Sequence, residues 1–140
     1  MIARKLREQD MLAPVLRLFP RSQYDRFPEV PLGRKKIDLV CVPRRAKSGT
    51  ICVELKLKDW RKALWQAAMN FQLGDESYIA VWHEHAHGVQ KELALLDMYG
   101  VGLIVVEPRR ARLIKRSQDR VVRIAREHKR DFYRLLITRV

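Results

Sequence analysis

Apolar positions along the chain recur with two different periods, and the changes of period mark out its elements. Leu6, Leu12, Val15, Leu16 and Phe19 fall on one side of a helix over residues 4–19. Pro14 lies inside that pattern and predicts a kink or a late start, and Pro20 ends it. Residues 22–30 read as extended and lead into a turn at 31–33. Segments 36–42 and 50–57 are rich in β-formers, and Pro43, Ser48 and Gly49 between them are loop residues, so the pair predicts a β-hairpin. Folded symmetrically about Ala46, that hairpin sets Asp38 opposite Glu54. Strand alternation assigns Ile37, Leu39, Cys41, Ile51, Val53, Leu55 and Leu57 to a continuous apolar face. The other face takes Asp38, Val40, Val42, Cys52, Glu54, Lys56 and Lys58.

Downstream, Asp59 is a candidate cap for a helix over 59–73, whose buried stripe runs through Trp60, Ala63, Leu64, Ala67 and Phe71. Short apolar strands at 77–82 and 102–106 flank a helix at 86–98, and 110–115 adds an edge strand. A long basic helix is expected at about 119–138. Two buried strands, each preceded by a helix, predict an α/β (α+β) fold, a mixed sheet with helices packed on it. The chain reads as one domain over 1–140, since 140 residues can bury a core without disulfides or structural metal.

Charge then narrows the function. Lys and Arg number 29 against 16 Asp and Glu, a formal net charge of +13. Such a surplus attracts polyanions, which favours a nucleic-acid partner over a membrane surface. The surplus is uneven: residues 109–140 hold 12 Lys or Arg and three acids. No apolar run nears the roughly 20 residues of a membrane helix, and the N-terminal segment does not read as a signal peptide. Cys41 and Cys52 read as buried thiols on opposite strand faces, which fits a reducing cytoplasm.

The chemistry concentrates on the polar hairpin face. Phosphodiesters resist hydrolysis because their negative charge repels nucleophiles, and divalent ions counter this. Magnesium or manganese prefers oxygen ligands, which Asp38 and Glu54 on adjacent strands would supply, with the Leu55 carbonyl as a natural third. Lys56, on the same face as Glu54, would orient water or neutralise charge in the transition state. The plainer alternative is a set of cross-strand ion pairs among Lys36, Asp38, Glu54 and Lys56. Against it, these charges interrupt strongly apolar segments, where an unused charge is costly.

The run Lys36-Ile-Asp38-Leu-Val, then Val53-Glu54-Leu-Lys56, then a helix bearing Gln66, resembles the PD-(D/E)XK nuclease superfamily across about residues 5–83. Ile37 stands where that motif opens with proline. The resemblance implies a restriction-endonuclease-like fold, a central mixed sheet of four or five strands flanked by helices, similar to Holliday-junction resolvases and to the nuclease domains of recombination helicases. It implies magnesium-dependent cleavage of DNA, with Asp38, Glu54 and Lys56 as the catalytic core. It further implies a glutamate from the first helix at the metal, where Glu8 is favoured over Glu29, and a catalytic role for Gln66. Phosphate contacts are expected from Arg44, Arg45 and Lys47 at the hairpin tip, from Lys62, and from Arg123, Arg126 and Arg130 on the last helix. A non-catalytic nucleic-acid-binding protein of the same fold is the rival reading. A lone nuclease domain also invites homodimerisation or a helicase-type partner. The alternating His83, His85 and His87 are discounted as a metal cluster, because they fall where a strand gives way to a helix. Trp65, off the buried stripe, is a candidate exposed contact.

Overall fold

The computed structural model describes residues 5–119, so the expected helix at 119–138, with Arg123, Arg126 and Arg130, lies outside the described residues. Six strands form one mixed sheet in sequential order: β1 (Tyr24–Leu32), β2 (Lys35–Pro43), β3 (Ile51–Lys56), β4 (Glu76–Trp82), β5 (Gly102–Val106) and β6 (Ala111–Lys115). β1, β2 and β3 run antiparallel in turn, β3, β4 and β5 are parallel, and β6 returns antiparallel to β5. The sheet therefore exceeds the four or five strands expected, because the extended 22–30 segment joins it as an edge.

Helices cover both faces. On one side, α1 (Leu12–Leu16) and the 3₁₀ turn before it (Glu8–Met11) bring Met11, Val15 and Phe19 onto Leu39, Cys41, Val53, Leu55, Tyr78 and Ile104. The first helix is thus shorter than 4–19, and Pro14 sits in its first turn, where a missing N–H costs nothing. On the other side, α2 (Trp60–Met69), α3 (Ala86–Gln90) and α4 (Leu93–Met98) cover Ile79, Val81, Leu103 and Val105. Asp59 caps α2 by accepting from the Lys62 N–H at 3.3 Å. The 86–98 segment divides into two helices, since Gly88 and the β-branched Val89 weaken a continuous one.

The hairpin β2–β3 pairs Leu39 with Val53, Val40 with Cys52 and Cys41 with Ile51, which is the symmetry about Ala46. Cys41 and Cys52 are free, buried and on opposite faces, and burial pushes each thiol up to about 12. One face assignment fails. Ile37 packs with Val40 and Cys52, while Leu39 and Cys41 join the α1 face, so the alternation slips at Asp38. The cause lies across the ladder. The β1–β2 pairing skips Glu29 and Asp38, and Glu29 sits at φ 52, a left-handed conformation that lets the strand turn locally.

Candidate active site

Strand direction decides what can meet at the site. β2 antiparallel to β3 places the β1–β2 turn, with Arg34, Lys35 and Lys36, beside the C-terminal end of β3. That end carries Glu54 and Lys56, and the C-terminal ends of β4 and β5 lie along the same margin of the sheet. The loop between β2 and β3, with Arg44, Arg45 and Lys47, lies at the opposite margin.

Glu54 points from β3 toward α2 and is only 3% exposed. Its Oε1 accepts a hydrogen bond from Asn70 Nδ2 at 2.9 Å, and Asn70 is itself buried. Burial disfavours the ionised carboxyl and pushes Glu54 up to about 8. The Asn70 amide works against this, the neighbouring Asp38 carboxyl adds to it, and Lys56 opposes it weakly. Asp38 reaches across the hairpin, and its Oδ2 accepts from the Leu55 N–H at 2.7 Å. The local slip at Asp38 thus brings its carboxyl to the backbone just past Glu54.

Lys56 follows on the same strand, half-buried, with its Nζ 3.9 Å from Glu8 Oε2. That Glu8 oxygen also accepts from the Leu57 N–H at 3.1 Å, so the turn before α1 is tied to the end of β3. Glu8 and Lys56 therefore meet at the end of β3, and Lys56, like Asp38, lies close enough to Glu54 to act on its carboxyl. Glu29 stands on β1 opposite Asp38 and is exposed. Gln66, on α2, lines a cleft of about 260 Å³ that also reaches Glu54 and Asn70. Asn70 belongs to no motif of the chain; its one signal is a position one helical turn after Gln66, on the same side of the helix.

Other expected residues fall elsewhere. Arg44 pairs with Asp25 at 3.1 Å, and Arg45 and Lys47 are exposed; Asp75 Oδ2 pins the neighbouring loop by accepting from Gly49 and Thr50 N–H groups. Lys62 is exposed at the start of α2. Trp60 is core with Arg61 stacked 4.4 Å over its ring, while Trp65 is 52% exposed. His83 lies edge-on to Trp82, and His85 and His87 are exposed on the turn and helix beyond.

The donors at the site are hard oxygens, the set magnesium and manganese prefer. Among the described residues, no three His, Cys, Asp or Glu side chains are gathered as a ready metal group. Magnesium commonly takes one or two protein carboxylates and keeps several waters, so the Asp38–Glu54 pair fits it with Glu8 turned to Lys56. A cation beside the two carboxyls would offset the burial that chiefly raises Glu54 and the smaller repulsion from Asp38.

A solved structure described as the SPO1766 protein of unknown function from Silicibacter pomeroyi is similar to this chain, with a TM-score of 0.59 and 20% sequence identity. The match covers 94% of this chain and 90% of that one, and it shows a shared fold. No protein-family model matches the chain, and no curated protein matches it. Among the described residues no helix is long and apolar enough to cross a membrane.

Proposed function

We propose that this chain is a divalent-metal-dependent nuclease with a restriction-endonuclease-like fold, hydrolysing phosphodiester bonds in DNA. The observation that carries this reading is the buried Glu54 carboxyl set beside Asp38, with Lys56 two residues on. Burying one acid next to another is costly unless a cation or a proton compensates it. Asp38 and Glu54 would hold magnesium or manganese, which when bound screens the phosphate and lowers the pKa of water.

The remaining roles belong to side chains. Lys56 places an ammonium where charge builds on the non-bridging oxygens as the water oxygen bonds to phosphorus and the ester oxygen leaves. Glu8 holds that ammonium in place and fixes the Leu57 amide. Asn70 holds the Glu54 carboxyl in one orientation, and Gln66 faces the cleft beside it. Cations along the same margin of the sheet would hold the flanking phosphates. A helicase-type partner or a second copy would supply substrate selection.

The test is incubation with labelled DNA and RNA of several structures, in magnesium, in manganese and in excess chelator. Cleavage of DNA with either metal, and none in chelator, is the expected result. Robust cleavage in chelator would falsify the metal assignment. One observation favours a second reading, a non-catalytic nucleic-acid-binding protein: burial pushes Glu54 up to about 8, so a proton can compensate its carboxyl without a metal. Metal-independent binding with no cleavage of any substrate would select it.

A further inference from the structure

The cleft beside Glu54 has three kinds of wall. Arg34, Lys35 and Lys36 stand exposed along its rim on the β1–β2 turn. Leu32 from that hairpin and Met69 from α2, both half-buried, line its apolar sides, with the buried Ile37 behind them. Gln66 and Gln72 present amides from the helix side, and neither has a hydrogen-bond partner among the described residues.

Each wall matches one part of a nucleotide. Cations at a rim attract the phosphate without reading sequence. A thioether and branched aliphatic side chains make a slot for the flat face of a base, and methionine sulfur is polarisable enough to pack well on aromatic rings. Free amides offer both donors and acceptors, which suits the exposed edge of an unpaired base. The volume, about 260 Å³, lies at the small end of ligand pockets and suits one nucleotide, not a stretch of duplex. A paired base could not enter, because its edge is occupied by its partner and its faces by the stack.

We propose that this cleft is a pocket for a single unpaired nucleobase, so that the substrate presents a single-stranded nucleotide next to the bond that is cut. The position of the cut rests on the nuclease reading; the binding of the base does not. The β1–β2 turn grips the phosphate of that nucleotide, and the apolar sides lined by Leu32 and Met69 receive its base. Duplex substrates are then handled at frayed ends, flaps or gaps.

The test measures binding and cleavage separately. Three probes are compared in calcium: a single strand of about ten nucleotides, within the span that single-strand sites cover, the same strand as a blunt duplex, and a fully abasic strand of equal charge. The parent protein should bind the base-bearing strand about ten-fold tighter than the abasic one, near the top of the range for a thioether packed on a ring. Met69→Trp, which fills the slot, should erase that difference while leaving the affinity for the abasic strand unchanged. Gln72→Trp, at the rim, serves the same purpose if Met69→Trp melts early. Equal binding of base-bearing and abasic strands by the parent would overturn the proposal, and so would an unchanged difference in a folded slot-filling variant. Cleavage in magnesium is read in parallel. Base-dependent binding with no cleavage leaves the pocket standing and removes the nuclease reading, whereas cleavage with no base dependence does the reverse.

Discussion

Two turns in this protein are rich in cations, and they face opposite fates. The β2–β3 loop carries Arg44, Arg45 and Lys47, and the β1–β2 turn carries Arg34, Lys35 and Lys36. In sequence the first is the more conspicuous, since it is the tip of the hairpin that bears Asp38 and Glu54. In the fold it lies at the far margin of the sheet, with Arg44 tied to Asp25. Six residues of strand separate Asp38 from Arg44, roughly 20 Å at about 3.3 Å per residue. The β1–β2 turn, two residues long with Gly33 at φ 62, instead lines the cleft that reaches Glu54. A hairpin's chemistry and its tip are necessarily apart when the reactive residues sit near its open end. Charge count names a partner class; strand direction says which charges can serve a given site.

The largest effects should come from the carboxyls that define the near margin. Asp38→Asn and Glu54→Gln should each lower the cleavage rate by at least about 1,000-fold, the upper range for losing one preorganised electrostatic group. Binding in the absence of metal should persist or tighten, because a negative charge facing an anion has been removed. Lys56→Ala should also lose cleavage, with a small loss of affinity. Single-turnover kinetics paired with binding isotherms separate these outcomes, and parental rates in the carboxyl variants would remove the site from this margin.

The comparison of the turns is tested by two triple variants. Replacing Arg34, Lys35 and Lys36 with Ala should weaken DNA binding about ten- to hundred-fold. It should also flatten the slope of log K against log salt, by about 0.9 for each phosphate no longer neutralised on duplex or about 0.7 on single strands. Replacing Arg44, Arg45 and Lys47 should change affinity about two- to three-fold, since at ~0.1 M salt charges are screened over roughly 10 Å. An equal drop in both variants would show that substrate wraps the whole sheet and would abolish the distinction. Gln66→Ala follows, with about a ten-fold loss of turnover and an unchanged melting temperature; unchanged turnover would make it an ordinary helix residue.

The smallest effect concerns stability. Glu54 rises from its ordinary 4.5 to about 8 in the folded protein, so the fold holds this proton more tightly than the unfolded chain does. The stability this provides is complete below about pH 4.5 and is lost as pH rises through about 8. The melting temperature of the parent should therefore fall relative to Glu54→Gln between pH 5 and pH 8.5 in chelator. Magnesium should restore part of the loss at the higher pH. A constant difference between the two proteins across that range would show that Glu54 does not change its protonation there.

Much of this architecture was legible in the chain. The hairpin symmetry about Ala46 follows from loop residues between two apolar strands, and the pairing holds as far as Leu39 and Val53, one step short of Asp38 and Glu54. Asp59 as cap and the Trp60–Phe71 stripe follow from helical spacing. Three things did not follow. Ile37 changes faces because the backbone slips opposite Glu29, and a single positive φ leaves no trace in a hydrophobic pattern. Residues 22–30 read only as extended, because Pro28 and several charges mask a strand. Asn70 lies just past α2, where an asparagine reads as a helix-ending residue, yet it is buried and holds Glu54. Local pattern finds elements; partners 16 residues apart are found only once the helix is laid across the sheet.

The prolines of β1 have one more consequence. β1 is an outer strand, and Pro28 and Pro31 leave it without two of the backbone donors that a further strand would need. Asp25, Arg26 and Glu29 add charges of both signs along the same strand. This margin is closed to strand addition, the route by which exposed sheets fuse into larger aggregates. A cation-rich chain is thereby kept from polymerising through this strand.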